Sequence, residues 1–392
     1  MLILIEVFFW SAVLAIMHSY IFYPMILSVM AVRKKKNALV YKTKEEMPFI
    51  SILLAVYNEE MVIKHKISST LETHYPHSKI QFLIGSDGST DLTDTIIEDL
   101  AKKHSEIEFF RFEERTGKPG IIKELVKKAQ GEILLLTDAN VYFKPETIHH
   151  LIKHFQNEQI GLVGGNILNL RFKRDGISYQ EKFYIARENL IKYREGLIWG
   201  STIGAFGGCY AMRKNLYVEV PSNFIVDDFY LTMIVLERGY QAIHELDAVC
   251  YEDVSNKVSE EFRRKVRIAS GNFQTLSRFS GLLAQPFSGL SFAFFSHKVI
   301  RWFGPFFILA SLLWGSILAG YFPFYKFIFA VELLLVISPI FDWILMRFNL
   351  HIAALRFLSY FIYMNFALAL GFIRFVIGVR SNVWTPTERN QS

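Results

Sequence analysis

The chain is poor in cysteine, and the two it has are not placed for covalent or metal chemistry. Only Cys209 and Cys250 occur, without Cys-x-x-Cys spacing, so neither a disulfide framework nor a zinc site is indicated and two buried thiols are expected. A complete phosphate-binding loop is missing as well. Thr116-Gly117-Lys118-Pro119-Gly120 sets a cation beside glycines but lacks the G-x-x-x-x-G-K-[ST] spacing, which excludes a P-loop ATPase. Charges follow the first apolar run instead of preceding it, which argues against a cleaved signal peptide. The carboxyl-terminal apolar stretches hold few ionisable residues beyond Glu332, Asp342 and Arg374, and that scarcity gives a transporter little support.

What is present points to a membrane at both ends. With 392 residues the chain is long for a single domain, which usually runs to roughly 100 to 200 residues. Hydrophobic residues make up 52% and the mean hydropathy is +0.25, with the apolar residues concentrated towards the termini. Leu2 to Val32 is apolar apart from Glu6 and exceeds the roughly 20 residues a spanning helix needs. Much of the net charge of +6 sits in Arg33-Lys34-Lys35-Lys36, directly after that run. There it reads as a topology signal that places residues from Arg33 onward in the cytosol, and not as a nucleic-acid footprint. Further spans are expected near Trp302 to Phe322, Ile328 to Met346 and Phe357 to Val379, with Lys298, Arg301, Arg347 and Arg356 at cytosolic flanks. Phe287 to Ser296 reads as an interfacial helix or a short extra crossing. The organisation expected is therefore a transmembrane helix over 1–33, a cytosolic domain over 47–280, interfacial and transmembrane helices over 281–380, and a polar tail over 381–392.

Between the apolar ends, short β-branched runs alternate with amphipathic stretches, the signature of βαβ units on a largely parallel sheet. Strands are expected over 49–56, 81–86 and 132–137. Each ends in a polar turn, and in open α/β sheets ligands sit beyond the carboxyl ends of strands, so one pocket lined by these turns is expected. Tyr57, Asn58 and Glu59 follow the first strand, able to meet a base or ribose, or simply to cap the next helix. Asp87 ends the second, as a hydrogen-bond acceptor for a nucleoside or as the start of an Asx-turn. Asp138-Ala139-Asn140 ends the third, with two oxygen-bearing side chains on one side of an extended segment, suited to a hard divalent cation held with diphosphate oxygens. Asp227-Asp228 sets two carboxylates together, where crowding can raise one towards use as a base; acids decorating a helix N-terminus are the plainer alternative. Arg263-Arg264-Lys265-Val266-Arg267 offers cations at helical spacing, for a diphosphate or for anionic lipid heads.

Taken in order, these segments resemble the family-2 glycosyltransferases, in the membrane-anchored branch that includes the cellulose, hyaluronan and poly-N-acetylglucosamine synthases. The likeness runs from about residue 49 to about residue 272. It implies an α/β fold of the GT-A type, a Rossmann-like glycosyltransferase domain flanked by transmembrane α-helices. It also implies that Tyr57, Asn58, Glu59 and Asp87 hold the nucleoside of a nucleotide-sugar donor and that Lys118 lies beside that donor. Asp138 matches the first acid of the Asp-x-Asp motif, which holds diphosphate and metal, with Asn140 in the place of the second acid. Asp228 matches the general base. Arg264 and Arg267 match the Gln-x-x-Arg-Trp motif, with Ile268 where tryptophan stands. Phe206 to Arg213 resembles the glycine-rich segment between donor and acceptor sites, although a tight structural turn explains its glycines equally well.

By that resemblance the chain is expected to be an inverting glycosyltransferase that uses a UDP-sugar and a divalent cation, Mg2+ or Mn2+. Its acceptor would be membrane-associated or a polysaccharide, a glycan or a lipid-linked acceptor, its partners the membrane lipids with no nucleic acid, and its site the inner cell membrane; no partner subunit is named by the sequence. A polyprenyl-phosphate glycosyltransferase shares the fold and the donor site. An inactive scaffold that binds a partner glycosyltransferase is the alternative from another class, motivated by Asn140 and Ile268.

Overall fold

Strand β1 (Ile50–Val56) is apolar except for Ser51, and all of its positions are buried, as expected for a central strand covered on both faces. Ile50, Ile52, Leu54 and Val56 share one face, by the period of two, and join a core with Val62 and with Ile63, Ile67 and Leu71 from the helix Ile63–Leu71 that follows it. Fully burying a side chain of this size stabilises the fold by roughly 1.5–3 kcal/mol. In the computed structural model, residues 1–169, 178–252, 258–285, 287–348 and 350–379 are described. The polar tail expected over 381–392 lies outside them.

The chain divides into two compact units. One comprises residues 30–172, 182–255 and 379–392 and is built on a mixed eight-stranded sheet. Besides β1 its strands are β2 (Ile80–Asp87), β3 (Ile107–Phe112), β4 (Ile133–Thr137), β5 (Val141–Phe143), β6 (Ile160–Asn169), β7 (Cys209–Arg213) and β8 (Gln241–Glu252), in the order β3-β2-β1-β4-β7-β6-β8-β5. β3, β2, β1 and β4 run parallel, whereas β7 pairs antiparallel with both β4 and β6. The chain leaves β1 towards β2 on one side and returns to β4 on the other. A switch of this kind opens a crevice at the carboxyl ends of the strands, and the turns after β1, β2 and β4 are the ones the sequence marks as polar. Gly85 in β2 lets the helix Lys118–Lys128 lie close: a Cβ there would meet Ile121 Cγ2 at 2.4 Å, so the helix or that side chain would have to shift.

The other unit comprises residues 1–29, 173–181 and 256–378 and is helical. Leu2–Ala31 and Ala353–Ile377 are each long and apolar enough to cross a membrane. Gly289–Trp302 with Gly304–Ala319, bent by 62°, and Pro323–Val336 with Ser338–Arg347, bent by 46°, meet that test only as pairs. Pro305 and Pro339 open the second helix of each pair, where a residue without an N–H ends the preceding hydrogen-bond ladder. If each pair is one span there are up to four. Phe9 packs with Ile5, Leu318 and Tyr325, and Trp10 Nε1 donates to the Tyr325 hydroxyl at 3.0 Å. The helix Val258–Phe279 belongs to this unit, so Arg264 and Arg267, expected within a domain over 47–280, fall in the helical unit and not in the sheet unit.

Candidate active site

The turns after β1 and β2 are tied together before any ligand is considered. Asn58 adopts a left-handed backbone, φ 51°, which Asn tolerates better than most residues. Its Oδ1 accepts from Thr90 N at 2.8 Å and its own N–H donates to Ser89 Oγ at 3.2 Å. Glu59 is buried and its N–H donates to Thr93 Oγ1 at 2.8 Å. The Tyr57 ring lies beneath the Arg115 guanidinium, 3.4 Å from it, a cation–π contact.

Asp87 is fully buried at the end of β2. Its Oδ1 accepts from Thr116 N at 2.7 Å and its Oδ2 from Gly117 N at 3.1 Å, with Arg115 Nε 3.7 Å away. The carboxylate therefore clamps the loop that leads into Lys118. A carboxylate has about four acceptor sites, so capacity for a nucleoside hydroxyl remains.

Lys118 begins the next helix and reaches back across the strand ends. Its Nζ lies 2.7 Å from Asp138 Oδ1 and 3.8 Å from Asp227 Oδ2. Burial pulls the ammonium's pKa down, but Asp138 and Asp227 outweigh it and hold the lysine above its usual range. One cation thus joins the turn after β4 to the acid pair at the start of the helix Asp227–Glu237.

Asp228 stands against Gly207, whose Cβ, if present, would meet Asp228 Oδ2 at 2.9 Å. Its Oδ1 accepts from Phe229 N at 2.8 Å. Burial, then the charge of Asp227, raises its pKa to about 6 against the opposing pull of Lys118, placing it where a general base works best near neutrality. The loop beside it is held from below: Lys192 Nζ donates to the Gly204 carbonyl, and Ala205 N donates to Thr232 Oγ1 at 3.0 Å. Tyr210, fully buried on β7, has no hydrogen-bond partner for its hydroxyl among the described residues; burial, with Asp227 and Asp228 next in weight, raises its pKa well above the usual value.

Asp138 and Asn140 are the residues that could hold a cation. Asn140 Nδ2 donates to Glu252 Oε1 at 3.4 Å. Among the described residues no group of three or more His, Cys, Asp or Glu could hold a metal ion. A carboxylate and an amide oxygen nevertheless fit a cation of the Mg2+ or Mn2+ kind, which is commonly held by one or two carboxylates together with substrate phosphates.

The structure thus brings Lys118, Asp138, Asp227 and Asp228 into one connected group and joins Asp87 to it through the loop at 115–117. Arg264 lies on its own helix in the helical unit, Nη1 3.6 Å from Glu261 Oε2. The sequence reading missed Arg115, Lys192 and Lys66. Lys66 alone left a signal, because it falls on the buried stripe Ile63, Lys66, Ile67 and Thr70 of an amphipathic helix.

Residues 51–220 match the family model "Glycosyl transferase family 2". A poly-beta-1,6-N-acetyl-D-glucosamine synthase of Staphylococcus epidermidis is 26% identical over 276 residues, covering 66% of this chain and 66% of that protein. A beta-monoglucosyldiacylglycerol synthase of Nostoc sp. is 33% identical over 119 residues, 30% of this chain and 25% of that one. The chain therefore spans no more than about two thirds of the length of these relatives. A mannosyltransferase from Pyrobaculum calidifontis, solved with GDP-Man and Mn2+, superposes with a TM-score of 0.71 at 20% identity, over 94% of this chain and 99% of that one. That likeness bears out the expected fold, a GT-A Rossmann-like sheet with apolar helices at both ends of the chain.

Proposed function

We propose that this chain, whose residues 51–220 match the family-2 glycosyltransferase model, moves a sugar from a nucleoside-diphosphate donor, a UDP-sugar, to an acceptor hydroxyl at a membrane, with inversion at the anomeric carbon. The observation that carries the reading is Asp228, raised to about 6 and set against a side-chain-free position at Gly207. Asp228 takes the proton of the acceptor hydroxyl. That oxygen then bonds to the anomeric carbon from the face opposite the leaving group, and the bond from that carbon to the diphosphate oxygen breaks with its electron pair. Lys118, already placed between Asp138 and Asp227, faces the charge that develops on the departing diphosphate, where a fixed cation lowers the barrier selectively. A divalent cation held by Asp138 and Asn140 with the diphosphate oxygens would supply further Lewis-acid neutralisation of that leaving group. Tyr57, Asn58, Glu59 and Asp87 form the nucleoside end of the site.

The basic run at Arg33 to Lys36 supports a cytosolic sheet unit, with the apolar helices anchoring it beside its acceptor in the inner cell membrane. A polymer synthase and a glycolipid synthase among the relatives support two acceptor classes, the end of a glycan and a lipid. Purified in detergent and offered a panel of nucleotide sugars with Mg2+ or Mn2+, the chain should turn over one donor, and Asp228→Asn should abolish transfer while donor binding survives. Product size on lipid and oligosaccharide acceptors then separates the two classes. No turnover and no donor binding under any condition would refute the proposal in favour of a scaffold.

A further inference from the structure

A lysine in the core of the sheet unit is the least expected side chain in the molecule. Lys66 is fully buried, yet no carboxylate lies within ion-pair distance of it among the described residues. Its Nζ donates to Thr137 Oγ1 at 2.9 Å and to the Val141 carbonyl at 2.6 Å, and it sits over the Phe143 ring, 3.6 Å from the centroid. Thr137 is the residue immediately before Asp138, and Val141 the residue immediately after Asn140. The two acceptors are therefore the two ends of the turn that carries the proposed cation ligands. The connection continues, because Thr137 Oγ1 donates to the Gly208 carbonyl at 2.8 Å and Asp138 N reaches the same oxygen at 3.4 Å. Gly208 follows Gly207, against which Asp228 lies.

We propose that Lys66 is a positioning residue for donor binding, whose ammonium pins the two ends of the Asp138–Asn140 turn and so fixes the oxygens offered to the diphosphate and its cation. The inference rests on the donor-site reading above and extends it to a residue that touches neither donor nor cation. Burial opposes the charge, pulling the group's pKa down to about 7. The pin holds in either protonation state, since a neutral amine still has two N–H groups for its two acceptors. An apolar residue would suit the site's surroundings better and a short polar one could not reach the turn, so the observed lysine is explained by the span it bridges. Groups behind a ligand set commonly govern affinity in this way: removing one costs roughly 10–100-fold in metal affinity or activity.

The test is calorimetric titration of the full chain in detergent with UDP and with GDP, in Mn2+ and in EDTA, for wild type, Lys66→Met and Thr137→Val. Thr137→Val keeps the volume of the side chain and removes one end of the pin. The expected result with Mn2+ is a dissociation constant raised roughly tenfold in Lys66→Met and by a smaller factor in Thr137→Val, at unchanged stoichiometry. In EDTA the three proteins should converge. A purely structural lysine would act differently, lowering the fraction of competent protein and hence the stoichiometry while the surviving sites keep the wild-type constant; that result overturns the proposal. So do constants within about twofold of wild type in both variants, and in that case the donor-site reading stands. If wild type binds neither nucleotide with Mn2+, the donor-site reading itself fails and this proposal with it. Should Lys66→Met not fold, Thr137→Val decides by the same criteria.

Discussion

Asp228 and Gly207 occupy complementary space: the carboxylate lies 2.9 Å from the point where a β-carbon on residue 207 would be. Gly207 has no positive φ, so alanine there would strain contacts and not the backbone. The contact would fall on the tip of a side chain, which can turn away cheaply. Gly207→Ala should therefore leave the melting temperature close to wild type. Turning that carboxylate displaces the proposed base, and a misplaced catalytic group is costly out of proportion to the distance moved. Transfer should drop roughly tenfold or more in kcat, with the donor dissociation constant unchanged. Steady-state kinetics alongside thermal denaturation tests this, and a kcat close to wild type would remove Asp228 from the reacting centre.

The same carboxylate ties activity and stability to pH with opposite signs. Burial and Asp227 raise it to about 6, from an ordinary value of 3.8. A base must be charged to act, so kcat/KM should fall about tenfold per pH unit below about 6. Stability moves the other way. Between about 6 and 3.8 the folded chain holds this proton more firmly than the unfolded chain, so the group adds stability as pH falls through about 6 and the gain is complete below the unfolded value. Melting curves of wild type and Asp228→Asn should show it, because the asparagine carries no charge to desolvate. The variant should be the more stable near neutrality, and its advantage should shrink as pH falls towards about 4. A pH-independent difference would mean that Asp228 titrates normally.

The sequence makes the strands of this site legible and leaves their loops opaque, for physical reasons. β1, β2 and β4 are near-continuous apolar runs because both of their faces are covered, and the expected bounds differ from Ile50–Val56, Ile80–Asp87 and Ile133–Thr137 by about a residue. Asp87, Asp138 and Asp228 are legible as site residues because each ends or follows a strand or lies at the start of a helix. That Asp87 spends its oxygens on the backbone of Thr116 and Gly117 is not legible, since the two segments meet only through the pairing of β2 with its neighbours. The helix Ser178–Trp199 mixes polar and apolar residues with no clean apolar stripe, so neither it nor Lys192 stands out in the sequence. The apolar helices expected near the carboxyl end are observed, but their breaks at Phe303 and Ile337 depend on where Pro305 and Pro339 interrupt the ladder.

Asp87 offers a test of that hidden connection. Asp87→Ala would strip the acceptors from Thr116 N and Gly117 N, of which the latter is buried, and a buried donor left unpaired costs about 1–3 kcal/mol. The loop would lose its anchor just before Lys118, so both thermal stability and donor affinity should fall. Loss of affinity with stability unchanged would mean instead that Asp87 acts only by touching the nucleoside. Chemical denaturation and nucleotide titration on the same preparation distinguish the two.

Cation binding should depend on the donor. Asp138 supplies one carboxylate, shared with Lys118 at 2.7 Å, and Asn140 supplies a neutral oxygen, while no cluster of three acids is available among the described residues. A hard cation held by so few protein charges needs the oxygens of the diphosphate to complete its shell. Mn2+ should therefore bind weakly alone and much more tightly with UDP, and by linkage Mn2+ should tighten UDP by the same factor. Equal Mn2+ affinity with and without UDP would disprove this dependence. Asn140→Asp should change it in a specific way. Asn140 Nδ2 now donates to Glu252 Oε1 at 3.4 Å, so an introduced carboxylate would face Glu252 and repel it until a cation lies between them. That repulsion favours the metal-bound form, and measurable Mn2+ binding should then appear without any nucleotide.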